Sequence, residues 1–563
     1  MRISILALFF FGSVATLFAQ SSFAPLNEDY YHMIDRYEVK SGVINPFFFT
    51  GTKPYKRSDI VAFTDTIQQM QLFQSRADQF NYQYLQNDSW EWLRAESSNS
   101  IRKPFLKNFY KKKSDLFYVD KGGLDLHVNP VLYLSAGSDN QRDENLFTNT
   151  RGVEVRGMVD KKIGFYAYFT DNQAVLPSYV WSPMAANPVI PHEGFWKGYK
   201  GKGVDFFQAR GYITFDVSRH INIQFGHDRF FIGNGYRSLI WSDYSTPAWF
   251  VKGNVKVWKL NYMFVINQMT ATVAGDRSGL RSSSGGYPNK FTAYHELSVN
   301  LGKKFNLGLF ETVIFSNDDS LGSRHFRLDY VNPLIFYRAI EQQNGSTDNV
   351  LLGMNFKWNA VRSLSFYGQF VLDEFVLDHI KKRDGWWANK YAIQAGAKYI
   401  DAFGVHNLDL QGEVNVVRPY TYSHGTNYAN YSSYQQSLAH PLGSNFKEVV
   451  GILRYQPLGR LNIVGKLSYV KIGRDTANVN FGSNILKNNN TRYQEYDNKI
   501  GQGISNTILF GTLTVSWQLK HNLFVDANLI LRKSDLPYFN QSTNTTVSSL
   551  GLRWNIARRL YEF

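Results

Sequence analysis

Most of the chain, from about Gly122 to the C-terminus, alternates between apolar and polar residues with a period of two. In residues 405–417 the apolar face holds Leu408, Leu410, Val414 and Val416, and the polar face holds Asn407, Asp409, Gln411, Glu413 and Asn415. Residues 505–519 and 522–532 repeat the pattern. These segments are about twice as long as strands of soluble proteins. The pattern therefore predicts transmembrane β-strands, apolar toward lipid and polar toward a lumen.

The connections between these segments alternate between short and long, which predicts the number of strands. Short polar connections lie at 160–162, 218–220, 302–304, 359–363, 401–404, 457–460 and 520–521. Longer ones lie at 137–147, 172–203, 229–246, 271–288, 317–348, 374–387, 418–445, 473–503 and 534–543. The alternation is complete if residues 247–270 hold two strands joined near Lys252, Gly253 and Asn254. This predicts an all-β membrane fold, a transmembrane antiparallel β-barrel of about eighteen strands, with periplasmic turns and extracellular loops.

The N-terminal residues follow a different pattern. Residues 1–19 have the form of a secretory signal peptide, with Arg2 before an apolar stretch. Residues 20–121 predict a small periplasmic helical region: Asn27 can cap a helix with Tyr30, Ile34 and Tyr37 on one face, and Ser75 can cap another. Residues 122–563 are then the outer-membrane barrel. The terminal Phe563 is expected to end the last strand and to be read by the barrel assembly machinery.

Composition supports alternating strands and excludes several other classes of protein. The chain holds 43 Phe, 35 Tyr and 12 Trp, its charged fraction is 19%, and its mean hydropathy is −0.32. Disorder is excluded by this aromatic content, and a helical membrane protein by the lack of long apolar runs after the N-terminus. Cysteine is absent, so no disulfide or thiolate site exists. The net charge of +15 is spread along the chain, which indicates no nucleic-acid partner but suits acidic glycans or anionic lipid headgroups.

The sequence shows no catalytic motif, and it predicts neither an enzyme nor a cofactor. Asp373 and Glu374 are adjacent in a strand, so they point to opposite faces and cannot flank one glycosidic bond. His227, Asp228 and Arg229 are interpreted as part of a polar ladder in the lumen. The twelve His show no spacing typical of a metal site.

The long loops are rich in aromatic residues. Trp181 and Trp196 lie in 172–203, and Tyr236 and Trp241 lie in 229–246 beside Arg237 and Asp243. Aromatic rings can stack on the C–H faces of sugars, while Asp, Asn and Arg bind hydroxyl groups. The alternative is the aromatic girdle that any membrane barrel has at its two interfaces.

Several short blocks resemble those of the Wzi-type capsule-assembly outer-membrane proteins. They are residues 53–60 (KPYKRSDI), 225–229 (FGHDR), 233–239 (GNGYRSL) with Ser242 and Asp243, 327–333 (RLDYVNP) with Tyr337, Arg338 and Glu341, 348–349 (DN), and 367–370 (YGQF) with Asp373 and Glu374. The resemblance spans most of the mature chain. It implies an eighteen-stranded barrel with a periplasmic helical part, and a lectin that holds capsular polysaccharide at the cell surface.

The sequence therefore predicts a non-enzymatic barrel, in the outer membrane of a Gram-negative bacterium, that binds, anchors or helps assemble surface polysaccharide. Its predicted partners are that polysaccharide, outer-membrane lipid and the assembly machinery. The alternatives are a porin or glycan-uptake channel, and a barrel partner in a secretion or motility complex. The candidate carbohydrate-binding residues are Trp181, Trp196, Tyr236, Arg237, Trp241, Asp243, Asp329, Arg338 and Glu341.

Overall fold

Long strands form most of the described chain. The structure is a computed structural model and describes residues 20–93, 99–101, 103–105, 107–186, 189–271, 288–316, 318–319, 322–323, 327–332, 334, 336–344 and 348–563. Within these ranges eighteen antiparallel strands close into one barrel. The last strand pairs with the first, from Val547 opposite Asp139 to Trp554 opposite Leu132. The predicted fold class and strand number are confirmed.

The barrel strands follow one another in chain order. They are β1 (Leu124–Asp139), β2 (Leu146–Val159), β3 (Ile163–Val175), β4 (Gly203–Ser218), β5 (Ile221–Asp228), β6 (Ala248–Val257), β7 (Leu260–Thr270), β8 (Asn289–Leu301), β9 (Phe305–Phe315), β10 (Asn349–Val361), β11 (Leu364–Glu374), β12 (Lys390–Tyr399), β13 (Leu408–Val417), β14 (Phe446–Leu458), β15 (Leu461–Arg474), β16 (Ile504–Lys520), β17 (Leu523–Leu536) and β18 (Gln541–Trp554). Short strands lie at Thr52–Lys53, Phe117–Lys121, Val189–Ile190, Gly194–Phe195, Lys197–Tyr199, Phe231–Ile232, Asp318–Asp319, Gly322–Ser323, Ser432–Ser433 and Gln436–Ser437.

The strands carry apolar side chains outside and polar ones inside. Leu513 and Leu529 are cross-strand partners on β16 and β17, and both are exposed on the outer surface. The neighbouring residues on these strands point inward: Thr514 of β16 donates a hydrogen bond of 2.8 Å to Asn528 of β17 inside the barrel. The predicted inward positions Asp409, Glu413 and Asp526 are buried within the lumen, as the period-two pattern requires.

One predicted turn is misplaced by several residues. β6 and β7 exist as predicted, but Trp258 and Lys259 join them, and Lys252 to Asn254 lie within β6. Gly253 pairs with Phe264, whose ring occupies the space that a side chain at position 253 would need. A glycine between two polar residues is typical of a turn, but Gly253 instead makes room for an aromatic ring of the neighbouring strand.

Three helices near the N-terminus form a separate hydrophobic cluster. They are α1 (Glu28–Ser41), α2 (Arg57–Gln69) and α3 (Arg76–Asp88). The predicted caps are present, since Asn27 accepts from the Asp29 and Tyr30 N–H groups and Ser75 accepts from Asp78 N–H. The apolar sides of the helices pack together through Tyr30, Ile34, Tyr37, Ile60, Phe63 and Tyr84. Residues 1–19, the predicted signal peptide, lie outside the described residues.

The helical region contacts the end of the barrel that carries the short connections, which we call the turn end. Gln20 N–H donates to Lys161 O at 3.2 Å, and Ile44 N–H donates to Lys303 O at 2.7 Å. The opposite end, the loop end, carries α4 (Ser178–Ala186), α5 (Tyr337–Asn344) and α6 (Leu377–Lys382). None of the helices in the described ranges is long and apolar enough to cross a membrane.

The C-terminal residues differ from the prediction that Phe563 ends the last strand. β18 ends at Trp554, and residues 555–563 form a tail that turns into the lumen. Asn555 has a positive φ of 52°, and its side chain donates to Pro130 O at 2.8 Å, which fixes the turn. The charged tail residues Arg558 and Glu562 then find partners inside the barrel, where Glu562 pairs with Arg237 and Arg558 with Asp29.

Candidate functional site

The lumen is filled by segments that enter from both ends. Residues 229–247, the inner loop, fold into the barrel and meet the helical region, where Gly233 N–H donates to Gly51 O at 2.7 Å. Residues 418–445, the cover loop, pack on the inner loop from the loop end, where Ser242 N–H donates to Leu438 O at 2.8 Å. The helical region, inner loop and cover loop therefore form a continuous plug in the described part of the lumen.

Two predicted sugar-binding residues, Tyr236 and Arg237, hold the inner loop to the barrel wall. Their backbone N–H groups donate to one carboxylate, Glu413, at 2.7 and 3.0 Å. The Arg237 guanidinium pairs with Glu448 at 2.9 Å and with Glu562 of the tail at 2.5 Å, and the Tyr236 hydroxyl also bonds Glu562. These interactions occupy the polar groups of both side chains. Tyr236 and Arg237 therefore anchor the inner loop within the lumen.

Trp241 and Asp243, on the same loop, have opposite environments. Trp241 is 2% exposed and lies edge-on to Phe230 and Tyr294, with ring centroids 5.9 and 6.1 Å away. A sugar has no access to either face of this indole. Asp243 is exposed, and its backbone carbonyl accepts from the His192 ring at 3.1 Å.

Trp181 and Trp196 come together at the loop end. Their ring centroids are 5.5 Å apart, and both rings are half-buried. The Arg142 guanidinium lies 5.3 Å from the Trp181 ring and donates to Leu176 O at 2.7 Å. The buried indole N–H of Trp196 has no hydrogen-bond acceptor. The pair therefore offers an aromatic surface with one cation beside it and one donor unused.

The other three predicted residues lie away from these groups. Asp329 is exposed and 3.8 Å from Arg327, and Arg338 is exposed at the start of α5, where its N–H donates to Glu311 at 2.8 Å. Glu341 is in α5, and its side chain lies outside the described part of the chain. The structure thus does not bring Asp329 and Arg338 into the inner loop or the Trp pair.

Asp373, Glu374 and His227 lie in strands of the barrel wall. Asp373 is buried and pairs with Lys390 at 3.2 Å, and Glu374 approaches the same ammonium at 3.5 Å. The strand register shifts between Leu372 and Glu374, so the two carboxylates do not point to opposite faces as predicted. His227 lies on the outer face beside Trp249, at 5.6 Å, and not in the lumen ladder that the sequence suggested. It shares the outward face of Phe225, two residues earlier, as the strand period requires.

A second aromatic cluster at the loop end was missed by the sequence analysis. The His379 ring stacks on Trp386 at 4.5 Å, with Tyr496 5.9 Å away, and Arg492 covers the neighbouring Trp387 ring at 4.2 Å. Backbone hydrogen bonds join the two loops, including Trp387 N–H to Glu495 O at 2.8 Å. Two loops far apart in sequence build this cluster, so no local motif identifies it.

Between the plug segments lies a cavity of about 310 Å³. Its wall includes eleven Arg and Lys against seven Asp and Glu, drawn from the helical region, the inner loop, the barrel wall and the tail. It extends to the exposed Asp243 and to Tyr244. Lys53, in this wall, donates to Gly233 O at 2.9 Å, and burial lowers the pKa of its ammonium to about 7. The cavity is therefore a cationic space inside an otherwise filled lumen.

Comparison with known proteins supports the fold. No family model matches the chain, and no curated protein matches its sequence. Among solved structures, it is similar to Wzi, described as an outer membrane protein involved in group 1 capsule assembly in Escherichia coli and a carbohydrate-binding β-barrel. The TM-score is 0.57 at 12% identity, over 96% of this chain and 100% of that one. OprD from Pseudomonas aeruginosa is similar at a TM-score of 0.43 and 10% identity, over 77% of this chain and 96% of that one.

At these identities the likeness to Wzi shows the fold alone, and the likeness to OprD is too weak to carry an argument. An outer-membrane type of barrel is shown. Membership of the Wzi-type family stays a prediction.

Proposed function

We propose that this protein is an outer-membrane barrel that binds surface polysaccharide and retains it at the cell, without catalysis. The observation that carries the proposal is the combination of a filled lumen with ordered aromatic clusters at the loop end. A filled lumen removes the free path that a general porin needs. The loop end instead presents Trp181 with Trp196, and His379 with Trp386 and Tyr496, as aromatic surfaces on which sugar rings can stack.

The structural similarity to Wzi supports the same proposal by analogy of fold, since that barrel is described as carbohydrate-binding. A barrel with an apolar outer surface needs a bilayer, and barrels of this kind occur in the outer membrane of Gram-negative bacteria. We place the loop end outside the cell and the helical region in the periplasm. The orientation follows the usual arrangement of short periplasmic turns and long outer loops.

The experiment compares cell-bound with shed polysaccharide, normalised to the amount of folded barrel in the outer membrane. We expect that deleting the protein releases polysaccharide, and that Trp196→Ala or Trp386→Ala releases part of it. Aromatic residues that dominate binding contribute about 2 kcal/mol each, or roughly thirtyfold in affinity.

Leu529→Ala is the matched control, because Leu529 is an apolar residue on the lipid face and far from the loops. It should leave retention unchanged. Unchanged retention after deletion of the whole protein would reject the proposal. If deletion releases polysaccharide but both Trp variants retain it, another surface holds the glycan. Single-channel recording on the same preparation tests the channel alternative, for which a large open conductance is required.

A further inference from the structure

Two arginines of the lumen cavity lack a close carboxylate partner among the described residues. Arg229 donates to the backbone carbonyls of His192 at 3.1 Å and Asp243 at 3.4 Å. The carboxylate oxygen of Asp228 nearest to Arg210 is 3.7 Å away, beyond hydrogen-bond distance. Among the described residues, Arg229 thus has no ion pair with a carboxylate, and Arg210 has one long ion pair, with Asp228.

Arg559, from the tail, adds a third guanidinium to the same cavity wall. It donates to two neutral groups, Thr150 Oγ1 and Asn172 Oδ1, both at 2.9 Å. We call Arg210, Arg229 and Arg559 together the arginine pocket. Two acidic residues of the cavity wall lie near these groups. Glu193 is bonded by the Gln208 amide, and Asp243 accepts from Arg229 through its backbone carbonyl.

The Nε–H groups of Arg210 and Arg229 are both buried and have no acceptor. Arg57 and Arg454 of the same cavity also have a buried Nε–H without an acceptor, but Arg210 and Arg229 combine this unused donor with the lack of a short ion pair within the described ranges. The Arg210 side chain is 9% exposed, and its guanidinium is held over the Tyr168 ring at 4.2 Å. Buried donors of charged groups are normally paired, because leaving them unpaired is costly. An anionic oxygen atom supplied by a ligand would give such a donor its acceptor.

The pocket differs from the other arginines of the same cavity, which have close partners. Arg57 pairs with Asp88 and Arg553 with Asp526, at 2.6 and 2.7 Å. Arg57 and Asp88 both belong to the helical region, and Arg553 and Asp526 both belong to the barrel wall. In the described part of the chain, the wall arginines without an ion pair shorter than 3.7 Å are therefore those of the arginine pocket, at the part of the cavity formed by the inner loop, the tail and β4.

We propose that the arginine pocket binds the carboxylate or phosphate group of an acidic saccharide residue. The planar guanidinium fork matches both groups, and it binds them with two parallel hydrogen bonds. A cavity of about 310 Å³ is of the size that holds one small ligand. The exposed Asp243 and the half-buried Tyr244 lie in its wall. The inference rests on the proposed function for the identity of the ligand as part of a glycan.

The test uses the purified full chain in detergent and titration calorimetry with three probes: glucuronate, inorganic phosphate and glucose. We expect saturable binding of glucuronate or phosphate and none of glucose at the same concentration. Stronger binding of glucuronate would indicate a uronic acid as the ligand, and stronger binding of phosphate would indicate a phosphorylated sugar. Absence of binding by both anions, or equal binding of glucuronate and glucose, would overturn the inference.

Variants assign the binding to the pocket. Arg229→Gln and Arg210→Gln should each weaken anion binding by about tenfold or more, because each removes charge-assisted hydrogen bonds. Arg229→Lys keeps the charge but loses the fork, so its affinity should fall between those of the wild type and Arg229→Gln. Arg460→Gln, at an exposed turn, is the control and should bind as the wild type does. Heat-modifiable mobility on gels checks that each variant is a folded barrel. Unchanged affinity in both Gln variants would reject the pocket.

The retention assay separates this inference from the proposed function. If Arg229→Gln loses anion binding and also releases polysaccharide, the pocket is a subsite of the anchor. If it loses anion binding while cells retain polysaccharide fully, the saccharide inference is wrong and anchoring stands. If deletion of the protein leaves retention unchanged, anchoring is wrong, and the calorimetry still decides whether the pocket binds anions.

Discussion

At the scale of single residues, the period-two pattern fixes which way a side chain points, and it does not tell what surrounds that side chain. Gln411 points into the lumen as predicted, but its amide is bonded to the Tyr367 hydroxyl at 2.8 Å and to Arg454 at 3.2 Å. An arginine at a water-filled lumen position would be tolerated. At Gln411 an arginine would place a second guanidinium beside Arg454. In this filled lumen the substitution is therefore expected to be unfavourable.

The outer face allows a sharper prediction at this scale. Leu410 faces lipid opposite Leu453 near the middle of the barrel, so Leu410→Arg should destabilise the folded barrel by about 2–4 kcal/mol. Val416→Arg is the control on the same face of β13, because Val416 pairs with Lys447 near the loop end, and it should cost about 0–1 kcal/mol. The measurement is the unfolding midpoint followed by gel mobility. Equal costs at both positions would contradict the assigned membrane depth.

At the scale of elements, buried ion pairs hold the helical region to the barrel. Arg36 of α1 pairs with Asp78 of α3 at 3.2 Å and also with Asp401 and Asp409 of the barrel. Arg36→Gln leaves these carboxylates with fewer cations, and breaking a buried pair from one side costs about 3–5 kcal/mol. We expect a lower unfolding midpoint and a higher ion conductance through the loosened plug. Arg76→Gln, on the exposed side of α3, should change neither.

The same ion pairs make the helical region sensitive to acid. Burial raises the pKa of Asp401, but the Arg36 and Lys40 cations outweigh it and hold that pKa below its usual range. A carboxylate with a lowered pKa stabilises the folded state above the ordinary value of about 3.9, and this stabilisation is lost as the pH falls through the folded pKa. The wild type should therefore lose stability below about pH 4. The Arg36→Gln variant should show a weaker dependence, and equal slopes would contradict the role of Arg36.

At the scale of the whole molecule, the sequence predicted the wall of the barrel better than its contents. The strand number and the inward polar face follow from the local period of two, and the helix caps follow from the residue type at single positions. Both kinds of signal are visible in a single sequence. The contacts of Arg237 with Glu448 and Glu562, or of His379 with Trp386 and Tyr496, join residues distant along the chain. No local pattern records such pairs. The tail was read as part of a strand because its alternation continues to Ile556, whereas its partners lie across the lumen.

The tail lies in the lumen beside the plug, and no strand pairing of the barrel involves it. The strand ladder of β18 is complete at Trp554, while Glu562 pairs with Arg237 and Lys466, and Tyr561 O accepts from the Tyr179 hydroxyl at 2.6 Å. A chain that ends at residue 556 should still form the barrel, and its conductance should rise because the lumen loses the tail side chains. Replacing the exposed Tyr538 and Phe539 of the last hairpin with Ala is the control, since both lie outside the lumen and conductance should stay unchanged. A shortened barrel with wild-type conductance would show that the helical region and the two loops close the lumen without the tail. A shortened chain that never reaches the outer membrane would instead support the predicted recognition of Phe563 by the assembly machinery, which must then act before the tail enters the lumen.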